Sequence, residues 1–215
     1  PYPLRRQRQM CIRDRGIVDK RASFLVTGGT GSGKTTLLAA LLGCVPATER
    51  LLIIEDTPEL APAHPHVVTL VSRRANAEGR GEISMSLLLR QALRMRPDRI
   101  VVGEIRGAEV VELLAALNTG HDGGAGTVHA NSVDEVPARM EALAALGGLD
   151  RVALHSQLAA AVHVVLGMER GSEGRRLAHI GVLEGNPVRP RLVWTADGGP
   201  RAGFDELCAR MGVQP

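Results

Sequence analysis

The chain has 215 residues, enough to bury the core of one α/β domain, and its net charge of +3 is spread along the sequence rather than massed in one patch. Aromatic residues make up only 2% of it, so stacking platforms for single-stranded nucleic acid are scarce and direct nucleic-acid binding is not expected. Cys11, Cys44 and Cys208 lie far apart, which disfavours a zinc site or a disulfide framework and favours the cytoplasm. No apolar run reaches the roughly 18 residues that would span a membrane.

Residues 1–15 show no helical or strand periodicity, and their QMCIRDR portion resembles a translated sequencing adapter. We interpret this stretch as non-native, which predicts that the natural protein continues upstream. The main domain is predicted over residues 16–185, followed by a small β-rich carboxy-terminal extension over residues 186–215.

Further along the chain, apolar runs predict buried strands at 24–27, 51–54, 67–71, 100–102, 126–129 and 162–166. Helices are predicted at 35–44, 86–95, 108–117, 152–161 and 204–211, and segments 175–183 and 188–194 are predicted to form a β-hairpin. Ser132 and Glu135 fit a capping box that opens one more helix. This alternation predicts a mostly parallel sheet with helices on both faces, whose ligand site lies at the carboxyl ends of the strands.

The segment from Gly28 to Thr35 reads GGTGSGKT and matches the phosphate-binding pattern G-x-x-x-x-G-K-[ST] between a predicted strand and a predicted helix. Glycines let backbone N–H groups face phosphate oxygens, and the helix offers its positive end. Lys34 is expected to reach the β- and γ-phosphates, and the Thr35 hydroxyl to hold Mg²⁺. A glycine-rich turn without a ligand is the alternative. The expected nucleotide-binding residues are Gly28, Gly29, Thr30, Gly31, Ser32, Gly33, Lys34, Thr35 and Thr36.

Glu55 and Glu104 each follow a predicted buried strand, where a phosphate-transferring enzyme needs carboxylates. We predict that Glu104 orients the attacking water, that Gly103 leaves room for that water, and that both glutamates help to hold Mg²⁺, partly through water. His129 ends another predicted strand and is predicted to contact the γ-phosphate and report its loss. The alternatives are that the two glutamates only end surface strands and that His129 is structural.

Four segments in order, GGTGSGKTT, LLIIEDTPEL, RMRPDRIVVGEIRGAE and LNTGHDGGAGTVHANS, resemble the type II/IV secretion ATPase superfamily. The likeness is greatest to the branch that drives tight-adherence (Flp-type) pili and the related conjugal-transfer ATPases. The resemblance implies a RecA-like P-loop NTPase that uses ATP and Mg²⁺ and forms a homo-hexameric ring. It also implies an acidic box (Glu55, Asp56, Glu59), a Walker B glutamate (Glu104), a histidine box (His129) and candidate site-completing arginines (Arg73, Arg80, Arg106).

The function implied by this resemblance is that of an ATP-hydrolysing motor for pilus assembly or protein secretion across the bacterial inner membrane. Such a motor would be cytoplasmic, peripherally attached to that membrane, and partnered by inner-membrane platform proteins. The family's additional amino-terminal domain is not recognisable in this sequence. The alternatives are a DNA-transfer motor of the same fold, a nucleotide-binding interaction module without turnover, and a small-molecule kinase.

Overall fold

The computed structural model describes residues 16–172 and 174–214; the predicted non-native segment and Cys11 lie outside these ranges. Within them, nine strands form one sheet. They are β1 (Phe24–Thr27), β2 (Leu51–Glu55), β3 (Val67–Val71), β4 (Arg99–Ile105), β5 (Ala125–Val128), β6 (Val164–Gly171), β7 (Gly174–Glu184), β8 (Arg189–Thr195) and β9 (Gly199–Pro200). Their order across the sheet is β3-β2-β4-β5-β1-β6-β7-β8-β9.

The sheet is mixed, so the prediction of a mostly parallel sheet is correct only for its first part. The strands from β3 to β6 pair in parallel, whereas the β6–β7, β7–β8 and β8–β9 pairs are antiparallel. The prediction ended β6 at residue 166, but the strand continues to Gly171, and β7 begins at Gly174. Two intervening residues are too few for the crossover that parallel strands require, so the pair is antiparallel. The carboxy-terminal strands therefore widen the same sheet.

Helices cover both faces of the sheet, as the apolar strand runs predicted. Consecutive residues point to opposite faces, so Leu25 packs in one apolar cluster and Val26 in the other. The helices are α1 (Lys34–Leu42), α2 (Met85–Ala92), α3 (Glu109–Leu117), α4 (Val136–Leu146), α5 (Arg151–Ala161) and α6 (Phe204–Met211). Helices α2 to α5 cover one face, and α1 and α6 cover the other. None of the helices in the described part of the chain has both the length and the apolar character to cross a bilayer.

The capping box predicted at Ser132 and Glu135 is wrong. Helix α4 begins at Val136, and its N-cap residue Glu135 makes no side-chain cap hydrogen bond. The Glu135 carboxylate instead accepts a hydrogen bond from the backbone N–H of Asn131 at 2.8 Å, which folds the preceding turn back on itself. Because the Glu135 carboxylate is used by an amide of the preceding turn, it makes no hydrogen bond to the first amides of the helix.

A buried ion pair fixes the amino-terminal end of β4, at the edge of the sheet opposite the carboxyl ends of the parallel strands. The Arg99 side chain is only 1% exposed, and its Nε lies 2.6 Å from Oε2 of Glu49. Its Nη2 also donates to the carbonyl of Val18 at 2.9 Å, which ties the segment before β1 to the sheet. Removing Arg99 would leave Glu49 with Arg21, which lies 3.2 Å away and is 38% exposed, so the loss of the buried partner is only partly compensated.

We expect Arg99→Ala to lower the free energy of unfolding by roughly 2–3 kcal/mol, because it leaves Glu49 and the Val18 carbonyl without this partner. The matched control is Arg90→Ala, which breaks a pair with Glu112 in which the arginine is 55% exposed. That change should cost less than about 1 kcal/mol. Urea unfolding of both variants checks the difference, and equal losses would contradict the assignment of Arg99 as an anchor.

Candidate functional site

A cavity of about 180 Å³ lies at the carboxyl ends of β1, β2, β4 and β5. Parallel strands present their carboxyl ends at one edge, so segments far apart in sequence meet there. Among the residues singled out from the sequence, those that line the cavity are Thr30, Gly31, Lys34, Thr35, Glu55, Asp56, Glu59, Gly103, Glu104, Arg106 and His129.

The glycine-rich loop at one wall has a backbone that only glycine adopts readily. Gly28, Gly31 and Gly33 have φ angles of 145°, 72° and 97°. Helix α1 begins directly after Gly33, and no side chain caps it. The first N–H groups of a helix lack partners within it, so this end is suited to accept an anion.

Lys34 lies buried at the start of α1 and folds back over the loop. Its Nζ donates to the carbonyls of Gly28 at 2.9 Å and Gly29 at 3.0 Å. Burial lowers the pKa of Lys34, the carboxylate of Glu104 raises it, and Arg106 lowers it further. No carboxylate among the described residues lies within ion-pair distance of Nζ, so the buried ammonium favours an incoming anion.

Glu55 presents a carboxylate oxygen that has no hydrogen-bond partner in the described structure. Its side chain is buried, and Oε1 accepts from the backbone N–H groups of Glu59 at 3.1 Å and Leu60 at 3.0 Å. The other oxygen, Oε2, is equally buried but unpartnered. Buried carboxylate oxygens normally accept a hydrogen bond or bind a cation, so Oε2 of Glu55 is a candidate ligand for a cation or a water.

Gly103 makes room for Glu55, and the prediction that it also leaves space for water stays a prediction. A Cβ on Gly103 would lie 2.6 Å from Cγ of Glu55. The hydroxyl of Thr127 also holds the Gly103 carbonyl at 2.7 Å. The glycine is therefore required by side-chain packing beneath the cavity.

Glu104 links the acidic segments to the histidine. Its Oε2 forms an ion pair with Nη2 of Arg106, and its Oε1 lies beside Nε2 of His129. That oxygen accepts no hydrogen bond from a described residue, so its contact with His129 is not aligned as one. Arg106 also donates to Oδ2 of Asp56 at 2.7 Å. One arginine thus joins the segments that follow β2 and β4.

Glu109 positions Arg106, a role that the sequence analysis missed. Its Oε1 accepts from the backbone N–H groups of Arg106 at 2.6 Å and Gly107 at 2.8 Å. The signal was present, because an acidic residue in the first turn of a helix often caps nearby amides. The hydroxyl of Thr27 similarly holds the carbonyl of Ala130 at 2.7 Å, just after His129.

Some residues singled out from the sequence do not reach the cavity. Arg73 and Arg80 lie exposed in the segment after β3, where Nε of Arg73 donates to the Gly81 carbonyl at 2.7 Å. Within the loop, Thr36 is exposed. Ser32 is buried, and its Oγ has no hydrogen-bond partner among the described residues.

The fold and the cavity define an α/β protein with a glycine-rich loop and carboxylates at the carboxyl end of its parallel strands. The profile of the family described as type II/IV secretion system protein matches residues 5–170. The chain therefore belongs to the type II/IV secretion system protein family.

Individual relatives agree with this assignment. A protein of Mycobacterium tuberculosis H37Rv with a conjugal-transfer designation is 68% identical over 187 residues, which are 85% of this chain and 53% of that protein. The conjugal transfer protein TrbB of Rhizobium radiobacter is 36% identical over 174 residues, covering 80% of this chain and 51% of its own length. The chain spans about half the length of the curated relatives it matches.

Among solved structures, the VirB11 ATPase of the Brucella suis type IV secretion system, in complex with sulphate, superposes with a TM-score of 0.70. The sequence identity is 30%, and the match covers 83% of this chain and 54% of that one.

We expect Gly103→Ala to lower the free energy of unfolding by about 1–3 kcal/mol, because the new Cβ collides with Cγ of a glutamate that two backbone amides hold in place. The control is Gly171→Ala, where an added Cβ meets nothing within 4 Å. Urea unfolding compares the two. If Gly103→Ala is as stable as the control, Glu55 is not fixed in the way described.

Proposed function

We propose that this chain is the ATP-hydrolysing motor domain of a secretion or conjugal-transfer machine, built on a RecA-like P-loop fold. The observation that carries the proposal is the arrangement of one cavity: Lys34 and the loop form one wall, and Glu55 and Glu104 form the wall facing it. The similar structure from Brucella suis is that of an ATPase, which supports the same function.

The residues around the cavity suit a magnesium-bound triphosphate. Lys34 supplies a buried cation without a carboxylate partner in ion-pair range, which fits the β- and γ-phosphates. The unpartnered oxygen of Glu55, with Thr35 and Glu104, fits a Mg²⁺ ion held directly or through water. When bound there, Mg²⁺ would neutralise charge that develops on the phosphates.

Glu104 is proposed to orient the attacking water and accept its proton. In the structure its two oxygens face Arg106 and His129, so one of these contacts must open before the carboxylate can serve water. A γ-phosphate competes for the same two side chains. We propose that Arg106 and His129 move from Glu104 to the phosphate, and that they return when the phosphate leaves.

Assembly and partners follow from the family resemblance. We propose a ring of six copies with ATP between subunits, bound to inner-membrane platform proteins on the cytoplasmic side. Arg73 and Arg80 are exposed after β3 and are available to a neighbouring copy. An arginine supplied by a neighbour typically contributes about 10³–10⁵ in rate, so the chain without its ring should turn over slowly.

The names of two relatives favour a conjugal-transfer machine as the setting, ahead of a Flp-type pilus. Both settings place the motor on membrane components, and the low aromatic content argues against direct contact with nucleic acid. ATPase rates measured with and without single-stranded DNA test the absence of direct contact. We expect equal rates, and stimulation by DNA would favour a motor that grips DNA itself.

We expect Lys34→Ala to lose binding of Mg·ATP, because it removes the buried ammonium that the phosphates need. Calorimetric titration of the variant and the unmodified chain checks this. The control Lys20→Ala removes an exposed lysine outside the cavity and should bind normally. Unchanged affinity in Lys34→Ala would overturn the role of the loop.

We expect Glu104→Gln to keep nucleotide binding but to lower the hydrolysis rate by about a hundredfold or more, because an amide cannot accept the proton of water. Phosphate release and nucleotide affinity, measured on the same preparation, test both halves. Glu78→Gln, which changes an exposed loop carboxylate, serves as the control. Normal turnover in Glu104→Gln would favour the alternative of a nucleotide-binding module that works without this carboxylate.

A further inference from the structure

The hairpin formed by β6 and β7 packs along the phosphate-binding loop, on the side of β1 away from the acidic residues. A Cβ on Gly28 would lie 2.4 Å from the carbonyl oxygen of Met168, and one on Gly33 would lie 3.1 Å from Cδ of Arg175. Two glycines of the loop are thus needed by the hairpin as well as by phosphate. The sequence analysis missed this contact because it ended β6 too early.

Arg175 holds the loop in shape. Its Nε donates to the Gly31 carbonyl at 2.9 Å, while Lys34 holds the carbonyls of Gly28 and Gly29. A planar trans peptide points its N–H away from its carbonyl. With the carbonyls of Gly28 and Gly29 drawn to Lys34, the N–H groups of the same two peptides point away from Lys34. The peptide whose carbonyl Arg175 holds is tied into the loop on its other side as well, because the N–H of Ser32 donates to the Gly29 carbonyl at 3.3 Å.

Arg170 lies directly opposite Arg175 in the ladder between β6 and β7. Two like charges placed in this way repel each other. The Arg170 side chain makes no hydrogen bond or ion pair with residues 16–172 or 174–214, and its Nη1 lies 3.9 Å from the place that a Cβ on Gly31 would take. Gly31 itself lines the cavity. A guanidinium without a partner therefore stands at the rim of the proposed nucleotide site.

The neighbouring arginine on the other face of β7 differs in its surroundings. Arg176 forms a two-pronged contact with Asp197 at 2.8 and 2.9 Å and lies 3.8 Å from Glu169. The face turned from the loop is thus neutralised by carboxylates, whereas the face turned toward the loop carries two arginines opposite each other. A bound anion would relieve this repulsion and satisfy the free guanidinium.

We propose that Arg170 binds the α-phosphate of the nucleotide from within the same chain and that Arg175 is a positioning residue for the loop. The order of the strands indicates how the triphosphate is oriented. Strands β4 and β2, which carry Glu104 and Glu55, lie on one side of β1, and β6 lies on the other. A triphosphate with its γ end toward the glutamates has its α-phosphate toward Arg170. This inference rests on the proposed function, since it requires nucleotide on the loop.

The test is to titrate the full chain with Mg·ADP and with Mg·ATP. We expect Arg170→Ala to weaken both nucleotides by the same factor, roughly tenfold, because both carry the α-phosphate. Arg170→Lys should recover only part of the affinity, since an ammonium lacks the planar fork of the guanidinium. Arg176→Ala removes the same charge from the other face and should leave the affinity within about twofold.

Unfolding without nucleotide separates a ligand from a structural residue. Arg170→Ala should unfold at the same or a higher urea concentration than the unmodified chain, because it removes a repulsive cross-strand pair. A lower midpoint would mean that Arg170 supports the fold, and would overturn the inference. Arg175→Ala, by contrast, should weaken nucleotide binding and also lower the midpoint, because it frees the Gly31 carbonyl.

The remaining outcomes distinguish failure of the Arg170 inference from failure of the proposed ATPase function. Unchanged affinity of Arg170→Ala beside a tightly binding unmodified chain overturns this inference alone. A selective loss of Mg·ATP with Mg·ADP unaffected also overturns it, because the arginine would then read the γ-phosphate. If the unmodified chain binds neither nucleotide, the proposed function fails and this inference fails with it.

Discussion

The site depends on a buried ammonium group, that of Lys34, held by loop carbonyls and facing carboxylates that do not touch it. Charge in a desolvated place is costly unless something compensates it, and carbonyl dipoles do so only in part. The loop, the uncapped start of α1 and the distance to the carboxylates all leave the Lys34 ammonium without a negatively charged partner. A bound anion would supply that partner.

Glycines around the cavity serve packing as much as ligand approach. Gly28 and Gly33 make room for the β6–β7 hairpin, and Gly103 makes room for Glu55. Each added Cβ would move a neighbour that is itself held by hydrogen bonds, so the site has little freedom to shift without cost. The charged groups are thus positioned by packing contacts of residues that do not themselves carry the charge.

The predictable part of the molecule was the part governed by apolar periodicity. Strand β1 lies where its apolar run placed it, and the observed parallel order brings Lys34, Glu55, Glu104 and His129 to one cavity. The end of β6 was missed because Glu169 and Arg170 lie outside the buried core and carry no apolar signal. The role of Gly103 was equally invisible, because which side chain fills a glycine's space depends on tertiary packing alone.

Under the proposed function, the ion pairs of Glu104 couple loss of the γ-phosphate to movement of the segments around it. Arg106 bridges Glu104 and Asp56, and these lie on β4 and just after β2. His129, which follows β5, contacts the same carboxylate. A phosphate that draws Arg106 away releases Asp56 as well, so the segments after the two strands lose their shared cation in one step. Because packed interiors resist gradual deformation, such an exchange favours two distinct arrangements over a continuum, which is the property a motor requires.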